Sequence, residues 1–431
     1  MLASLSNIFK ISDLRRKVLF TLAMLIVFRI GSFVPVPNIN VELLKAGSNN
    51  FLGFLNTFSG GALANFSLFA MGIMPYITAS IIMQLLSMEV VPKFTQWARE
   101  GEVGRRKIAQ VTRYGTIILG LIQSVGMTVG FNRMYPGLVA DESTMSYALI
   151  ALTLTAGTAF LMWMGEQITE KGIGNGISII ILAGIIAAIP TGVQTIATTL
   201  FMNATDQIFF SIVKALMILL VIVAIIIGVI YMHQGLRKIP VQYAKRVVGR
   251  KMYGGQSTHI PLKVNSAGVI PVIFAVSLVI FPATIASFWA DPSGEGIANW
   301  IYQHFQINSP LGMTLYAILI IGFTYFYTFV QINPVQMAEN MRKNGGYIPG
   351  IRPGKNTEVY ITRTLNRLTL AGAIFLTAIS ILPFFFSYIA GLPQSIFIGG
   401  TSLLIVIGVT LDTMKQIESQ LIKRHYKGFI K

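Results

Sequence analysis

The stretch ALMILLVIVAIIIGVIYMHQGL, residues 215–236, decides the fold class of this chain. It contains no Asp, Glu, Lys or Arg, and it supplies the roughly 20 apolar residues that an α-helix needs to cross the hydrocarbon core of a membrane. The composition of all 431 residues agrees, because 54% are hydrophobic and only 11% are charged, against about 25% charged in an average soluble protein. The sequence therefore predicts an integral membrane protein.

Similar apolar runs recur along the chain and predict ten membrane-spanning helices. Arg29 is the one charged residue inside the first run, and Pro190 is expected to end the fifth helix. The last run is long enough for two spans, with a tight turn marked by Pro383, Gly391 and Pro393. The predicted spans and double span are 18–36, 67–88, 114–132, 143–165, 177–190, 215–236, 264–290, 309–332 and 368–411.

Residues 46–88 are uncharged and too long for a single spanning helix. The basic N-terminus and the basic stretch 89–113 should both be cytoplasmic by the positive-inside rule, so an even number of spans separates them. One span at 67–88 satisfies this parity and leaves residues 51–66, broken at Gly60, as a re-entrant half-helix on the outer side. Such a segment is tolerated at membrane depth only when it is buried in protein or lines a cavity.

The formal net charge of +17 is concentrated on one face in this topology, with both termini cytoplasmic. Much of the excess lies in two long cytoplasmic loops, 233–265 and 333–367, and turn-forming residues in the second loop surround Arg352. Three interpretations remain open: a topology signal, binding of anionic lipid, or docking of an acidic partner such as ribosomal RNA or an acidic protein.

The sequence gives no sign of catalysis, of a cofactor or of a bound metal. It has no cysteine, no Walker A sequence and no HExxH zinc motif, and its four histidines are scattered over loops and span ends. We therefore expect a protein that is not an enzyme. A secondary transporter for a small solute is the alternative, although such transporters usually carry ionisable residues deep within their spans. A purely structural membrane scaffold is a third, weaker possibility.

A weak internal repeat relates the two halves of the chain, which divide at about residue 200. Residues 72–75 (GIMP) resemble 268–271 (GVIP), and residues 176–181 (GISIII) resemble 400–405 (GTSLLI). In both matches the two segments are five predicted spans apart. Because successive spans cross the membrane in opposite directions, an odd separation means that one half is inverted relative to the other, as in many transport proteins. Chance recurrence of short apolar words is the alternative explanation.

Longer motifs cover nearly the whole chain and resemble those of the bacterial SecY family of protein-conducting channels. They are VFRIGSFVPVP (27–37), GEVGRRK (101–107), TRYGT (112–116), WMGEQITEKGIGNGISIII (163–181), QYAKR (242–246), QSTHIPLKVNSAGVIP (256–271), GGYIPGIRPG (345–354) and GGTSLLIVIG (399–408).

The resemblance implies an all-α polytopic fold with ten transmembrane helices in two inverted five-helix halves, 1–200 and 201–431, around a central pore. It implies a channel in the bacterial cytoplasmic membrane that passes unfolded preproteins across and releases transmembrane segments sideways into lipid. The family pore is closed by a ring of apolar residues and a plug. The matching ring positions are Ile73, Ile77, Ile177, Ile181, Ile273 and Ile405.

The plug of the family matches about residues 56–66 of this chain, and the lateral gate matches the second and third spans facing the seventh and eighth. The plug residues are Asn56, Thr57, Phe58, Ser59, Gly60, Gly61, Ala62, Leu63, Ala64, Asn65 and Phe66. Gln84 is polar in an apolar span and falls on the lateral gate. Packing inside the bundle is an equally reasonable role for Gln84.

The two basic loops match the surfaces where the family receives the SecA ATPase or the ribosome, which supply the energy. The implied docking residues are Arg352, Lys245, Arg246, Arg250, Lys251, Arg237 and Lys238. The resemblance also implies the smaller subunits SecE and SecG, preprotein signal sequences and anionic lipids as partners. It implies no binding of DNA.

Overall fold

The protein is described here by a computed structural model. The described residues are 11–46, 59–87, 91–202, 208–243, 246–248, 251–253, 257–286, 296–307, 309–390 and 400–427. Within these ranges the chain is mainly α-helical, and ten of its helices correspond one to one with the predicted spans.

The helices of the first half follow the predicted order, with two short helices between the long ones. They are α1 (Ser12–Gly31), α2 (Val41–Ala46), α3 (Met74–Leu85), α4 (Pro92–Arg99), α5 (Glu102–Met134), α6 (Thr144–Lys171) and α7 (Gly176–Ala197). A short π-helix, Thr198–Met202, continues α7. Contacts join α5 to α3 and α6, and α6 to α1 and α7.

The second half adds five long helices and two short ones. They are α8 (Ile208–Gln234), α9 (Ile270–Ala286), α10 (Ile297–His304), α11 (Pro310–Gln331), α12 (Pro334–Lys343), α13 (Lys355–Ala390) and α14 (Thr401–Lys427). α11 packs against α9 and α13, and α8 packs against α14. The contacts between the two halves include α3 and α5 with α9, and α7 with α14.

Six of the helices in the described ranges are long and apolar enough to cross a membrane. They are α5, α6, α7, α8, α11 and α13. α3 and α9 are apolar but shorter. α1 and α14 carry clusters of charged residues in their N-terminal and C-terminal parts respectively. The chain is therefore a multi-pass membrane protein.

Several predicted helix ends are wrong, and local hydrogen bonding explains most of the differences. Pro190 and Pro383 were expected to end helices, but both lie inside helices, in α7 and α13. A proline removes only one helical hydrogen bond and need not stop a helix that is held by its neighbours. α13 also begins at Lys355, well before the apolar run at Leu368, because helical hydrogen bonding continues into polar residues.

The second predicted span, 67–88, becomes α-helical only at Met74, where α3 begins, and residues 86–87 continue it as π-helix. Residues 67–73 form turns, and Gly72 has a φ of +57° just before the helix. Gly268 stands at the equivalent place before α9 with a φ of +66°. Only glycine adopts this conformation readily, and a proline in the first turn of each helix then favours its start. The first of the two matching pairs of the predicted repeat thus shares its backbone conformation as well as its sequence.

Two other long helices begin at polar caps. The side-chain oxygen of Asn175 accepts hydrogen bonds from the backbone nitrogens of Ile177 and Ser178 at the start of α7. Ser309 caps α11 by accepting a 3.0 Å hydrogen bond from the backbone nitrogen of Gly312. These bonds satisfy donors that would otherwise be unpaired at a helix start.

The basic loop 233–265, which was predicted as a cytoplasmic loop of an all-α fold, contains β-strands. They are β1 (Leu236–Tyr243), β2 (Arg246–Val248), β3 (Lys251–Tyr253) and β4 (Ser257–Lys263). β1 pairs antiparallel with β4, and its end also pairs with β5 (Gly346–Tyr347) from the second basic loop. We call the side of the molecule that carries these strands the sheet end. A separate apolar cluster there includes Ile239, Val241, Leu262, Met341, Ile348 and Ile361.

Candidate functional site: an apolar constriction, a plug segment and a basic platform

The six predicted ring residues, which we call the pore-ring residues, belong to one apolar cluster at the centre of the helices. Ile73, Ile77, Ile181, Ile273 and Ile405 are buried, and Ile177 is half-buried against them. They come from α3, α7, α9, α14 and the turn before α3, so both halves of the chain contribute. All six are isoleucines, and branched aliphatic side chains offer an ion nothing to replace its hydration shell.

Three of the pore-ring residues share a small cavity with the predicted plug. The cavity has a volume of about 100 Å³ and is lined by Ile73, Ile77 and Ile181 together with Ser59 and Leu63. The rest of its lining comes largely from the helices of the predicted lateral gate, with Thr78 of α3, Gln123 and Met127 of α5, and Ser277, Ile280 and Phe281 of α9. Ile177, Ile273 and Ile405 do not line it.

The described part of the predicted plug, residues 59–66, is called the plug segment here, while Asn56, Thr57 and Phe58 lie outside the described residues. After Ser59 the segment consists of turns rather than helix. Ala62 and Leu63 are almost completely buried. The carbonyl oxygen of Gly60 accepts a 2.6 Å hydrogen bond from Nη1 of Arg29. The charged residue of the first span thus holds the plug segment.

The end of the plug segment is fixed by backbone bonds and by Phe66. Val36 donates a 3.0 Å backbone hydrogen bond to Phe66, and Leu68 donates another to Val34. Phe66 is fully buried with its ring edge-on to Phe131 and has a φ of +39°. A bulky residue rarely adopts this conformation, which costs on the order of 1–3 kcal/mol. Packing therefore holds the segment in a strained turn.

Gln84, the predicted gate residue, lies in the last turn of α3 and is half-buried. Its side-chain oxygen is buried and has no hydrogen-bond partner among the described residues. The helix that carries it packs against α9, and Oγ of Ser277 approaches Sδ of Met74 to 3.8 Å between these two helices. A buried polar atom without a partner lowers the stability of the packing around it.

The two basic loops form a single platform at the sheet end. Tyr347 of β5 pairs with Gln242 of β1, and the Tyr347 hydroxyl donates a 3.0 Å hydrogen bond to the Gln242 side chain. Arg237 and Lys238 are exposed on β1, and Arg352 is exposed shortly after β5. The carbonyl oxygen of Arg352 accepts a 3.0 Å hydrogen bond from the Thr357 hydroxyl, which fixes its turn.

The other predicted docking residues are only partly described. Arg246 lies in β2 and Lys251 in β3, which pair as an antiparallel hairpin. Lys245 and Arg250 lie outside the described residues.

Sequence reasoning missed two features of the site. The Arg29–Gly60 contact joins residues far apart in the sequence, and only the isolated charge in an apolar run signalled that Arg29 was unusual. His233 was considered unremarkable, yet its side chain is only 3% exposed and lies 3.9 Å from a carboxylate oxygen of Asp412 in α14. Neither ring nitrogen of His233 has a hydrogen-bond partner among the described residues.

Comparisons with known proteins show the family to which the chain belongs. A family model described as SecY matches residues 67–414. Proteins named Protein translocase subunit SecY match the whole chain over their whole length: the one from Halalkalibacterium halodurans is 65% identical over 432 residues, and the one from Bacillus subtilis is 59% identical over 433 residues. The Staphylococcus aureus protein of this name is 52% identical over 433 residues, with 99% of its length covered.

Solved structures share the fold at low sequence identity. One described as a protein conducting channel has a TM-score of 0.63 and 19% identity, with 95% of this chain and 93% of that chain covered. Another, from work on the plug domain of the SecY protein, has a TM-score of 0.62 and 19% identity, with coverage of 95% and 92%. Sec61 in the canine ribosome-channel complex has a TM-score of 0.61 and 18% identity, with coverage of 95% and 93%.

Proposed function

This chain belongs to the SecY family of protein translocase subunits, and from that premise we propose that it is a gated membrane pore for unfolded polypeptides. The observation that carries the proposal is the cavity of about 100 Å³, which is lined at once by pore-ring residues, the plug segment and the predicted gate helices. A channel that opens both across the membrane and sideways into lipid needs the pore-ring residues, the plug segment and the gate helices to lie next to one another.

The pore-ring residues act as a seal that a passing polypeptide pushes apart. Isoleucine side chains make no directional bonds with one another, so separating them for a passing chain breaks no hydrogen bond. Ions find no ligand in such a ring and are rejected at rest. The six residues come from elements of both halves of the chain, so relative movement of the halves 1–200 and 201–431 widens the ring.

The plug segment closes the resting pore from one side, and the Arg29 hydrogen bond to Gly60 holds it in place. The lateral gate opens where α3 and α5 meet α9, and Gln84 lies on this seam. A signal sequence or transmembrane segment that inserts there replaces helix contacts with its own apolar side chains. This exchange allows release into lipid without exposing backbone to the hydrocarbon core.

The energy for transport comes from a partner that docks on the sheet end. Arg352 is the central contact, with Arg237, Lys238, Lys245, Arg246, Arg250 and Lys251 around it. The partner is the SecA ATPase or the translating ribosome, since both present acidic groups that basic side chains recognise. The sheet end then faces the cytoplasm of a bacterial cell, both termini lie on that side, and the protein lies in the cytoplasmic membrane with SecE, SecG and anionic lipids as further partners.

In this proposal the chain catalyses no reaction. It provides the pore, and the partner supplies the energy. A small-solute transporter finds no support in the site, because the cavity is lined by apolar and neutral polar residues with no ionisable coupling group. Within the described residues, no group of three or more His, Cys, Asp or Glu side chains is placed to hold a metal ion.

The test uses the chain reconstituted with SecE and SecG in vesicles. We expect SecA and ATP to drive an unfolded precursor into the lumen, where it becomes protected from added protease. Uptake of labelled small solutes under an ion gradient is measured in the same vesicles. Solute uptake without precursor protection would refute the proposal.

A further inference from the structure

Three arginines converge on a recess at the sheet end, and two of them, Arg363 and Arg367, have no role in the proposed transport cycle. The recess has a volume of about 450 Å³ and lies between β1 and the first turns of α13. It is lined by Arg237, Tyr360, Arg363, Thr364, Arg367 and Leu368.

The positive charge in this recess is not balanced by any residue that the structure describes. No acidic side chain lines it, and none of its three guanidinium groups forms an ion pair with a described residue. Other basic side chains are paired, such as Arg113 with Glu166 at 2.7 Å and Lys343 with Glu339 at 3.9 Å. Three unpaired guanidinium groups around one recess repel one another, and an anionic ligand removes this repulsion.

The donors in the recess fit a phosphate group. Arginine presents a planar array of N–H groups that binds phosphate oxygens in pairs. The Tyr360 hydroxyl adds a further donor. The Thr364 hydroxyl already donates a 2.9 Å hydrogen bond to the carbonyl oxygen of Tyr360, so it is not counted among the donors to the phosphate.

An apolar stripe continues from the recess along the same helix. Arg363, Arg367, Leu370 and Ile374 follow one another at spacings of four, three and four residues, which places them on one face of α13. Leu370 is 47% exposed and Ile374 is 56% exposed. Both lie within the part of α13 that is long and apolar enough to cross a membrane. A ligand that follows this face has an anionic end and a long apolar end.

We propose that this recess binds the phosphate of an anionic phospholipid, whose acyl chains lie along Leu370 and Ile374. Arg363 and Arg367 hold the phosphate from α13, and Arg237 closes on it from β1. The lipid thereby connects the sheet end to the spanning helix that supports it. The inference rests on the proposed placement of the protein in an anionic membrane, and it assigns one specific site to that lipid.

The test measures lipid occupancy directly and does not depend on transport. The full chain is placed in phosphatidylcholine bilayers that contain a small fraction of phosphatidylglycerol with a photoreactive acyl chain, and labelled peptides are identified after illumination. We expect labelling on the 370–374 face of α13. The double variant Arg363→Gln/Arg367→Gln should need about 25-fold more phosphatidylglycerol for equal labelling, at about fivefold for each arginine near a membrane surface.

Two further double variants test whether the position of the charge matters and whether arginine is needed rather than lysine. Arg342→Gln/Lys343→Gln removes the same charge from α12, outside the recess, and should label as the wild type does. Arg363→Lys/Arg367→Lys keeps the charge but loses paired donation, so its labelling should fall between those of the wild type and the glutamine variant. Thermal unfolding of each variant shows whether it is folded, and Arg363→Gln alone, with an expected fivefold loss, replaces the double variant if that one is unstable.

Three results would overturn the inference. They are equal labelling of the wild type and the double variant, equal labelling by a photoreactive phosphatidylcholine, and loss of labelling in millimolar inorganic phosphate. The first would indicate a protein-docking surface if the double variant also no longer binds SecA or the ribosome, and the third would indicate a site for free phosphate. Precursor transport that persists in any of these cases would leave the proposed function standing.

Discussion

Nη1 of Arg29 donates a 2.6 Å hydrogen bond to the backbone carbonyl oxygen of Gly60, and the guanidinium group of Arg29 also lies 4.5 Å from the centre of the Phe33 ring. A charged side chain in a spanning helix is costly unless it is paired with another polar group. Here the hydrogen-bond partner is a carbonyl of the plug segment, so the cost of placing Arg29 in the membrane is offset more fully while the plug segment is seated.

Replacement of Arg29 with methionine should therefore loosen the plug segment. The lost bond is of the charged type, which contributes about 1.5–3 kcal/mol, and we expect a higher resting ion conductance in planar bilayers. Lys214→Met, which removes an exposed charge from α8, should leave the conductance unchanged. A resting conductance equal to that of the wild type in Arg29→Met would show that the bond does not hold the plug.

Gly60 and Gly61 form a matched pair for testing how closely the plug segment packs against α7. Both have positive φ, at +68° and +89°, so alanine strains the backbone at either by about 1–2 kcal/mol. A Cβ at Gly60 would also lie 2.8 Å from Cα of Gly184 in α7, whereas a Cβ at Gly61 would meet nothing within 4 Å. We expect Gly60→Ala to raise the resting conductance more than Gly61→Ala does. Equal conductances would contradict the close approach to α7.

Single replacements of Ile77, Ile181 or Ile405 with asparagine should raise the resting ion leak, because an amide in the ring hydrates ions and packs poorly. Loss of the aliphatic packing costs about 2–5 kcal/mol for each change, so thermal unfolding is measured in parallel. Ile118→Asn places the same amide on α5 at a residue that is 61% exposed, and it should not leak. A ring that stays sealed in all three variants would exclude these residues as the barrier.

Replacement of Gln84 with leucine should stabilise the packing of the last turn of α3. The change removes a buried oxygen without a hydrogen-bond partner, which is worth about 1 kcal/mol or more in unfolding free energy, and the melting temperature should rise. Release of a signal sequence into lipid should become slower, as followed by site-specific crosslinking. Gln96→Leu on the exposed side of α4 serves as the control. A lower melting temperature in Gln84→Leu would indicate that the amide is paired.

Arg352→Glu should abolish precursor transport driven by SecA while leaving the fold intact, since surface substitutions usually change stability by less than about 0.5 kcal/mol. Transport into vesicles and SecA binding are measured together. Lys355→Glu reverses a neighbouring exposed charge and should reduce transport much less. Undiminished transport by Arg352→Glu would remove this residue from the docking surface.

The sequence predicted the helices well but their ends poorly. Hydropathy marks the part of a helix that suits lipid, whereas the backbone hydrogen bonds of α5 and α13 run on into polar residues at their N-terminal ends. The strands were missed for a different reason. In β1 only Ile239 and Val241 alternate clearly with exposed residues, so the pattern is too short to stand out beside the basic residues around it.

The sequence by itself determined the class of the protein and the order of its spanning helices, because long uncharged runs can be stable only in a membrane. Only the tertiary structure decided the bond from Arg29 to Gly60, the joining of the two basic loops through Gln242 and Tyr347, and the recess around Arg363. Each of these depends on residues that are distant in the chain, and their approach is fixed by the packing of whole elements rather than by local sequence preference.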